Sequence, residues 1–316
     1  MVAQISDDTL TNCFFRQLGP TPLVPVDLGH SSLPIWCKLE FLNPSGSTKD
    51  RIARYILEKA WRQGKISHGD LVVEASSGST SIALALTCAQ MGLRFTAVMP
   101  SSVSNERVLM IRAFGGQIEL VDKALGMKGA LDRATELATT NGGFLPMQFE
   151  NQDNAEAHRI GTAREILGQV PSGTVNRVVS GIGTGGTLLG LYQGFAQAGC
   201  DVKPVAARPV STTGDHFHIE CCSFSARIPG VLDGFSKLYD PEKMPGLTVI
   251  EVEDRLAISI TRQLIKLGFP VGPSSGLNYA AAVKAAAQLD TGATVVTVFP
   301  DRMERYFSTE LFGDLK

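Results

Sequence analysis

The chain has 316 residues, of which 44% are hydrophobic and 19% are charged, and its formal net charge is −2 at pH 7. This length favours two domains or one large α/β domain, and the composition is that of an ordinary soluble globular protein. The near-neutral charge offers no basic surface for nucleic acid or for an anionic membrane. Residues 1–10 lack a cationic start and an apolar core, so no signal peptide is expected.

Six cysteines are spread along the chain, and none of them forms a C-x-x-C pair. Because so few cysteines cannot build a dense disulfide framework, we expect reduced thiols and a cytoplasmic protein. His216, His218, Cys221 and Cys222 lie close together in sequence, but their spacing matches no common zinc pattern. We therefore predict no metal site.

Short apolar strands alternate with helices along most of the chain. The predicted strands are residues 71–74, 95–99, 118–121, 177–180, 204–207 and 294–299. This alternation predicts βαβ units with parallel sheets. Apolar strands without polar interruptions indicate that helices cover both faces of each sheet. A polar run at 141–154 marks the softest domain boundary, and residues 211–230 have no pattern that we can assign.

Lys49 begins a predicted helix, because the apolar residues after it recur at helical spacing. It follows the segment Asn43-Pro-Ser-Gly-Ser-Thr48. A helix N-terminus favours anions, so a lysine there breaks a local rule, as residues at functional sites often do. The same positive end would lower the pKa of an amine and so favour its action as a nucleophile and base. The alternative is a solvated lysine at a helix start.

Five small residues, Ser76-Ser-Gly-Ser-Thr80, join a predicted strand to a predicted helix. Hydroxyl groups and backbone N–H groups at a helix start form a site suited to a carboxylate or a phosphate. The alternative is simple N-capping by Ser79, which would need only one of these residues. We therefore favour a ligand-binding loop.

A glycine-rich loop, Gly181-Ile-Gly-Thr-Gly-Gly-Thr187, follows the predicted strand that ends at Ser180. Its G-x-G-x-x-G pattern also occurs in nicotinamide-dinucleotide sites. Such a site places an acidic residue at the end of the next strand, whereas that strand ends here in Ala-Ala-Arg208. A single phosphate at a helix N-terminus fits the loop better. A nicotinamide-binding protein remains the alternative from a different class.

A fourth segment, Gly272-Pro-Ser-Ser-Gly276, precedes an alanine-rich run and by itself indicates only a capped helix start. Together, and in this order, the four segments resemble the fold-type II pyridoxal-phosphate enzymes, above all the cysteine synthase and cystathionine β-synthase group. The similarity extends from Gly19-Pro-Thr-Pro-Leu23 to Glu304-Arg-Tyr-Phe-Ser-Thr309 and so covers nearly the whole chain.

The resemblance implies two three-layer α/β domains with parallel-rich sheets, similar to the tryptophan synthase β fold. A smaller, mobile domain at 43–153 would carry Lys49 and the substrate loop. A larger domain, made of residues 1–42 and 154–316, would bind the cofactor phosphate. The family also implies a homodimer that acts on small amino-acid substrates.

The resemblance assigns roles to single residues as well. Lys49 would hold pyridoxal 5′-phosphate as a Schiff base and later remove the Cα proton. The phosphate would lie against Gly183, Thr184, Gly185, Gly186 and Thr187. The substrate carboxylate would bind Ser76, Ser77, Gly78, Ser79, Thr80 and Gln148, and Ser79 would also touch the cofactor. Ser274 would face the pyridine nitrogen, with Ser275 as the neighbouring candidate.

A neutral hydroxyl at the pyridine nitrogen makes the ring a weaker electron sink than an aspartate partner would. This favours loss of the β-substituent to give an aminoacrylate over transamination. The resemblance then implies β-replacement through that aminoacrylate, on O-acetylserine or O-phosphoserine, with a sulfur or amine nucleophile. The alternative within the same fold is β-elimination, as in a serine/threonine deaminase or a cysteine desulfhydrase.

Two positions depart from the family pattern. The substrate loop continues Ser79-Thr80-Ser81 where the group has Asn-Thr-Gly, which leaves the usual acetylserine assignment open. Arg208 replaces the group's glutamate after the next strand. The resemblance implies that Arg208 and residues 211–230 lie near the site entrance. Because a guanidinium suits phosphate and carboxylate, we predict that one of the two substrates is more anionic than O-acetylserine and sulfide, for example O-phosphoserine or an amino-acid nucleophile. The alternative is that Arg208 is a surface residue and Ser79 a neutral variation.

Overall fold

The computed structural model describes residues 18–211, 227–229 and 236–315. Within these ranges the chain forms two compact units, one of residues 18–20 and 43–147 and the other of residues 21–42 and 148–315. The chain leaves the smaller unit for the last time between Met147 and Gln148, whereas the sequence places this domain boundary after residue 153. The segment with His216, His218, Cys221 and Cys222 lies outside the described residues.

Nine strands form in the described ranges. They are β1 (Leu23–Val26), β2 (Ile35–Leu39), β3 (Leu71–Ala75), β4 (Arg94–Pro100), β5 (Gln117–Val121), β6 (Arg177–Gly181), β7 (Lys203–Val210), β8 (Thr248–Glu253) and β9 (Val295–Phe299). All six strands predicted from the sequence are confirmed, with ends shifted by a few residues. The sequence did not predict β1, β2 and β8.

Helices fill most of the connections. They are α1 (Lys49–Arg62), α2 (Ser79–Met91), α3 (Asn105–Ala113), α4 (Gly126–Asn141), α5 (Asp153–Ala157), α6 (Ala163–Gln169), α7 (Gly186–Gln197), α8 (Asp254–Lys266) and α9 (Pro273–Ala286). A π-helical turn, His158–Thr162, joins α5 to α6. Short 3₁₀ helices occur at Glu40–Leu42, Lys123–Leu125, Pro241–Lys243, Met303–Tyr306 and Glu310–Leu315.

Each unit contains one sheet. The smaller unit has three parallel strands in the order β3-β4-β5. The larger unit has six strands in the order β1-β2-β9-β6-β7-β8, all parallel to their neighbours except β1, which runs antiparallel to β2. The parallel-rich α/β architecture predicted from the sequence is therefore confirmed.

Alternating side chains of the central strands build the core on both faces of the larger sheet. Val179 of β6 and Val295 of β9 belong to one apolar cluster, which α8 and α9 cover. Their sequence neighbours Val178 and Val296 belong to a second cluster, to which α6 and α7 contribute. Because successive strand residues point to opposite faces, an apolar run such as that of β9 needs helices on both sides.

Candidate cofactor and substrate sites

Lys49 is the first residue of α1, so the helix start predicted from the sequence is confirmed. The preceding loop is folded onto the helix by two hydrogen bonds. The backbone N–H of Ser45 donates to Asp50 Oδ2 at 3.0 Å, and the backbone N–H of Lys49 donates to Ser47 Oγ at 3.2 Å. Gly46 adopts the left-handed region with φ of 81°, which only glycine reaches without strain. The backbone of Lys49 is thus fixed, while the residue itself is half-buried.

The substrate loop connects β3 to α2 and is held by its own first residue. Ser76 Oγ accepts hydrogen bonds from the backbone N–H groups of Gly78 at 3.0 Å and of Ser81 at 3.3 Å. The helix begins at Ser79 with Gly78 as its N-cap. The alternative in which Ser79 is the N-cap is therefore wrong, because Ser76 supplies the side-chain acceptor at this helix start.

Arg107 of α3 lies against this loop inside the smaller unit. Its Nη1 donates to the carbonyl oxygen of Ser77 at 2.8 Å, and the side chain is 6% exposed. A Cβ atom on Gly78 would lie 2.4 Å from Arg107 Cδ, so glycine allows this close approach. A buried guanidinium next to a helix N-terminus adds positive potential at a place that already favours an anion. Sequence reasoning missed Arg107, which looks like an ordinary helix residue.

The glycine loop after β6 forms a cradle made of backbone. Gly185 has φ of 84°, and a Cβ there would lie within 3.1 Å of Tyr239 backbone atoms. A Cβ on Gly186 would lie 2.0 Å from Asn154 Oδ1. The N-cap of α7 is Gly185, which has no side chain to cap the helix. The N–H groups at the start of α7 therefore face a cradle that suits a phosphate.

Two residues of the helical segment 153–169 hold the threonines of this loop. Asn154 Nδ2 donates to Thr184 Oγ1 at 2.9 Å. His158 Nε2 lies 3.1 Å from Thr187 Oγ1, and its Nδ1 lies 2.9 Å from Thr162 Oγ1. His158 is fully buried and begins the π-helical turn, a feature often found at functional sites. Sequence reasoning singled out neither residue; Asn154 lies at the end of the polar run 141–154, which is interpreted as a domain boundary.

A run of glycines brings α7 close to that segment. A Cβ on Gly190 would lie 2.2 Å from the carbonyl oxygen of Ala155, and one on Gly194 would lie 2.5 Å from the Cβ of Ala163. Side chains at these positions would push the helices apart. The phosphate cradle at the start of α7 thus depends on glycines further along the same helix.

Gln148 is buried, and its backbone contacts the residue that holds Thr184. Its carbonyl oxygen accepts from Asn154 Nδ2 at 2.8 Å. The preceding residue, Met147, has φ of 56°, and among the described residues it alone is a non-glycine with positive φ. Such strained backbone persists where the surroundings enforce it, and it is common at ligand sites.

Helix α9 is anchored near the glycine loop by Asn278, whose Oδ1 accepts from the backbone N–H of Gly181 at 2.7 Å. Ser274 lies one helical turn earlier, on the same face. Ser275 lies on the face of Tyr279, whose hydroxyl accepts from the backbone N–H of Leu28. Ser275 is fully buried, and its Oγ has no hydrogen-bond partner among the residues described.

The predicted site residues divide between the two units. Lys49 and the loop 76–80 belong to the smaller unit, while Gln148, the loop 183–187 and Ser274 belong to the larger one. Each group is assembled within its own unit, by Ser76 and Arg107 in one case and by Asn154, His158 and Asn278 in the other.

Arg208 lies in β7 opposite Glu251 of β8, and its Nη2 contacts the Glu251 carboxylate. Both side chains are substantially exposed. Exposed ion pairs of this kind contribute little free energy to stability. The contact favours the surface alternative for Arg208.

Other classes of site find little support in the described residues. No group of three or more His, Cys, Asp or Glu side chains in those ranges could hold a metal ion. No helix within the same ranges is long and apolar enough to cross a membrane.

Comparisons with known proteins identify the family of the chain. A family model described as "Pyridoxal-phosphate dependent enzyme" matches residues 14–301. A cysteine synthase of Staphylococcus aureus (strain Mu50 / ATCC 700699) is 38% identical over 304 residues, which are 94% of this chain and 95% of the relative. The chain therefore belongs to the family of pyridoxal-phosphate-dependent enzymes.

Two solved structures are similar over nearly their whole length. O-ureido-L-serine synthase matches with a TM-score of 0.84 and 33% identity, over 97% of this chain and 95% of that one. An O-acetylserine-dependent cystathionine β-synthase from Helicobacter pylori matches with a TM-score of 0.83 and 29% identity, over 99% of both chains. The chain is an enzyme of the cysteine synthase type that catalyses pyridoxal-phosphate-dependent β-replacement. The elimination and nicotinamide alternatives are not favoured.

The residues of the larger unit fit this cofactor. A phosphate needs backbone N–H donors without side chains in the way, and Gly185 and Gly186 provide them at the start of α7. Thr184 and Thr187 add hydroxyl groups whose orientations are fixed by Asn154 and His158.

Proposed function

We propose that the enzyme replaces the acetyl-bearing β-substituent of O-acetylserine by a sulfur nucleophile, and that Lys49 carries the cofactor as a Schiff base. The main observation in support is the phosphate cradle Gly183–Thr187, which lies at the N-terminus of α7, where Gly185 is the N-cap. When bound, pyridoxal phosphate supplies an electron sink that lets the Cα proton and the β-substituent leave. The names of the relatives support the choice of reaction and substrate.

Lys49 is proposed as the base as well as the anchor. Once the substrate amine has displaced it, its amino group is free to accept the Cα proton. The position at the N-terminus of α1 supports this role, because the helix dipole opposes the charged form of the amine and so favours the neutral base. The fixed backbone of Lys49 limits the positions that its amino group can reach.

The substrate carboxylate is proposed to bind the loop 76–80 together with Gln148. The support is the use of Ser76 as the internal acceptor of the loop, with Arg107 adding a buried positive charge beside it. A carboxylate there would receive backbone N–H and hydroxyl donors at the start of α2. Ser79, which stands where the family has asparagine, would also contact the cofactor.

Ser274 is proposed to meet the pyridine nitrogen. The support is its position on the face of α9 that carries Asn278, since Asn278 binds the first residue of the glycine loop. Ser275 is the weaker candidate because its face of the helix leads to Tyr279 and the β1 strand.

O-acetylserine is preferred to O-phosphoserine because Arg208, the residue expected to favour an anionic substrate, pairs with Glu251. The test is steady-state kinetics with each serine ester and with sulfide or an amine as the nucleophile. The proposal predicts the highest kcat/KM for O-acetylserine with sulfide. A clear preference for O-phosphoserine, or release of pyruvate without any need for a nucleophile, would contradict it.

A homodimer, a cytoplasmic location and mobility of the smaller unit complete the proposal. The homodimer is carried over from the family to which the chain belongs. Cys37 and Cys88 are free thiols, and burial raises the pKa of both, as expected of unreactive thiols in a reducing compartment. Light scattering on the purified enzyme tests the dimer.

A further inference from the structure

Asn154 joins two parts of the larger unit that the proposed function assigns to different ligands. Its Nδ2 donates to Thr184 Oγ1, in the phosphate cradle, at 2.9 Å, and to the carbonyl oxygen of Gln148, in the substrate site, at 2.8 Å. The side chain is 0% exposed. One amide group therefore bridges a cofactor residue and a substrate residue, with both of its N–H bonds in use.

A second polar side chain bridges the same two segments. Ser236 Oγ lies 3.0 Å from the carbonyl oxygen of Phe149 and also within hydrogen-bond distance of the carbonyl oxygen of Thr184. The backbone N–H of Lys237 donates to the same Phe149 oxygen at 3.0 Å. The segment 148–149 and Thr184 are thus tied together from two directions.

The bond to Asn154 has a consequence for the Thr184 hydroxyl. Because Thr184 Oγ1 accepts the amide N–H, its own O–H must point away from Asn154. The hydroxyl hydrogen is then available to an acceptor in the cradle, such as a phosphate oxygen. The second hydrogen bond of Asn154, to the carbonyl oxygen of Gln148, restrains the backbone directly after the strained residue Met147. It thereby limits the orientations of the Gln148 side chain.

The oxygen of the same amide faces the start of α7. A Cβ on Gly186 would lie 2.0 Å from Asn154 Oδ1, so only glycine fits beside it. This oxygen is buried and has no hydrogen-bond partner among the described residues. In addition to its two hydrogen bonds, Asn154 therefore packs directly against Gly186 of the phosphate cradle.

We infer that Asn154 is a positioning residue that couples the phosphate cradle to the substrate-carboxylate residue Gln148. This inference rests on the proposed function, because the roles of Thr184 and Gln148 come from it. A phosphate that fixes Thr184 also fixes Asn154 and, through it, the backbone of Gln148. Cofactor binding therefore prepares the larger unit for the substrate carboxylate, and the substrate in turn strengthens the grip on the phosphate.

The test compares Asn154→Ala with the matched control Asn151→Ala. Asn151 lies three residues earlier, and its Oδ1 accepts a hydrogen bond from the backbone N–H of Asp153 at 3.0 Å. Three quantities are measured: the Kd of the apoenzyme for pyridoxal phosphate, the ³¹P chemical shift of the bound cofactor with and without L-serine, and KM and kcat for O-acetylserine. L-serine serves as an amino-acid probe with a poor leaving group.

Loss of two buried hydrogen bonds should raise both the Kd for pyridoxal phosphate and the KM for O-acetylserine about ten-fold. The kcat should stay within about three-fold, because Asn154 touches no reacting atom. L-serine should shift the ³¹P signal of the bound cofactor in the wild type and in Asn151→Ala, and this shift should be absent in Asn154→Ala. Ser236→Ala removes the other bridge from a half-buried position, and it should weaken the same ³¹P response even if Asn154→Ala does not fold.

The inference is overturned if Asn154→Ala matches Asn151→Ala, or if only the Kd for pyridoxal phosphate changes while KM and the ³¹P response stay as in the wild type. A drop in thermal stability with all three quantities unchanged would equally overturn it. If O-acetylserine is not a substrate, the proposed function fails, but the cofactor Kd and the response to L-serine still decide the role of Asn154.

Discussion

Asn278 Oδ1 accepts a hydrogen bond from the backbone N–H of Gly181 at 2.7 Å, and Asn278 Nδ2 donates to the carbonyl oxygen of Val298 at 2.8 Å. One side chain of α9 thus binds both β6, which leads into the phosphate cradle, and β9 beside it. The helix cannot rotate about its axis without breaking these bonds. The face of α9 that carries Asn278 is therefore fixed toward the glycine loop.

This geometry separates Ser274 from Ser275. Ser274→Asp should strengthen the electron sink, alter the visible spectrum of the bound cofactor and slow β-replacement. Ser275→Ala should leave the spectrum and the rate unchanged, because Ser275 lies on the face of α9 that carries Tyr279 and not on the face of Asn278. Absorption spectra and steady-state rates of the two variants decide. A silent Ser274→Asp together with an altered spectrum in Ser275→Ala would reverse the assignment.

Lys49→Ala should remove the visible absorbance of covalently held cofactor and abolish turnover while the fold is kept, since one amine serves as anchor and base. The matched control is Lys59→Ala on the same helix, which should keep both. Absorption spectra, activity and circular dichroism are measured on both variants. Near-normal turnover of Lys49→Ala would refute the role of Lys49.

Arg107→Met should raise the KM for the amino-acid substrate by about ten-fold or more, because a charged donor to the Ser77 carbonyl is worth about 1.5–3 kcal/mol. Arg107→Lys should recover part of the loss, since it restores the charge but not the fork of donors. Arg112→Met, on the exposed side of the same helix, is the control. Equal kinetics of the Arg107 and Arg112 variants would show that the buried guanidinium does not support the substrate loop.

Much of the architecture could be predicted from the sequence, but not all of it. The predicted strands at the centre of the larger sheet contain buried apolar runs, with Val178 and Val179 in β6 and Val295 and Val296 in β9, as expected of strands covered on both faces. The missed strands β1 and β8 are the two edges of the larger sheet; β1 contains Pro25, and β8 alternates apolar residues with Glu251 and Glu253. Edge strands need no continuous apolar run, so this signal is weak for them.

The limits at the site have a different origin. Lys49 and the two loops were recognisable because the chemistry is concentrated in short segments. Asn154 contacts Thr184 across 30 positions of sequence, and His158 contacts Thr187 across 29. These contacts exist because glycines of α7 allow the segment 153–169 to approach, and such packing is set by tertiary structure.

Gly190→Ala tests this packing directly. The added Cβ would lie 2.2 Å from the Ala155 carbonyl oxygen and 2.7 Å from the His158 Cβ, so the helices must separate. Overpacking of this kind destabilises by about 1–3 kcal/mol. Gly168→Ala in α6 is the control, because a Cβ there meets nothing within 4 Å and should be neutral or stabilising. Urea denaturation of both variants measures the difference, and an unchanged midpoint for Gly190→Ala would contradict the close approach.

Arg208→Ala should not change the choice of substrate. Arg208 lies directly opposite Glu251 on the neighbouring strand, and the two side chains form an ion pair on the surface. Such an exposed pair contributes about 0–1 kcal/mol to stability, and Glu251 on the edge strand gives Arg208 a partner within the sheet itself. We expect kcat/KM for O-acetylserine and for O-phosphoserine to change by the same factor, within about two-fold of the wild type.

Glu251→Ala supplies the sharper half of this test, because it removes the carboxylate and leaves the arginine. If Arg208 served as an anion site that Glu251 merely occupies in the absence of substrate, Glu251→Ala would raise kcat/KM for O-phosphoserine, and Arg208→Ala would lower it by about ten-fold or more with little effect on O-acetylserine. If Arg208 and Glu251 form only a surface ion pair, neither variant should change kcat/KM for O-phosphoserine selectively, because each removes only a contact between β7 and β8 at the edge of the larger sheet. The ratio of the two kcat/KM values in the three enzymes therefore distinguishes a substrate-selecting arginine from a strand-pairing one.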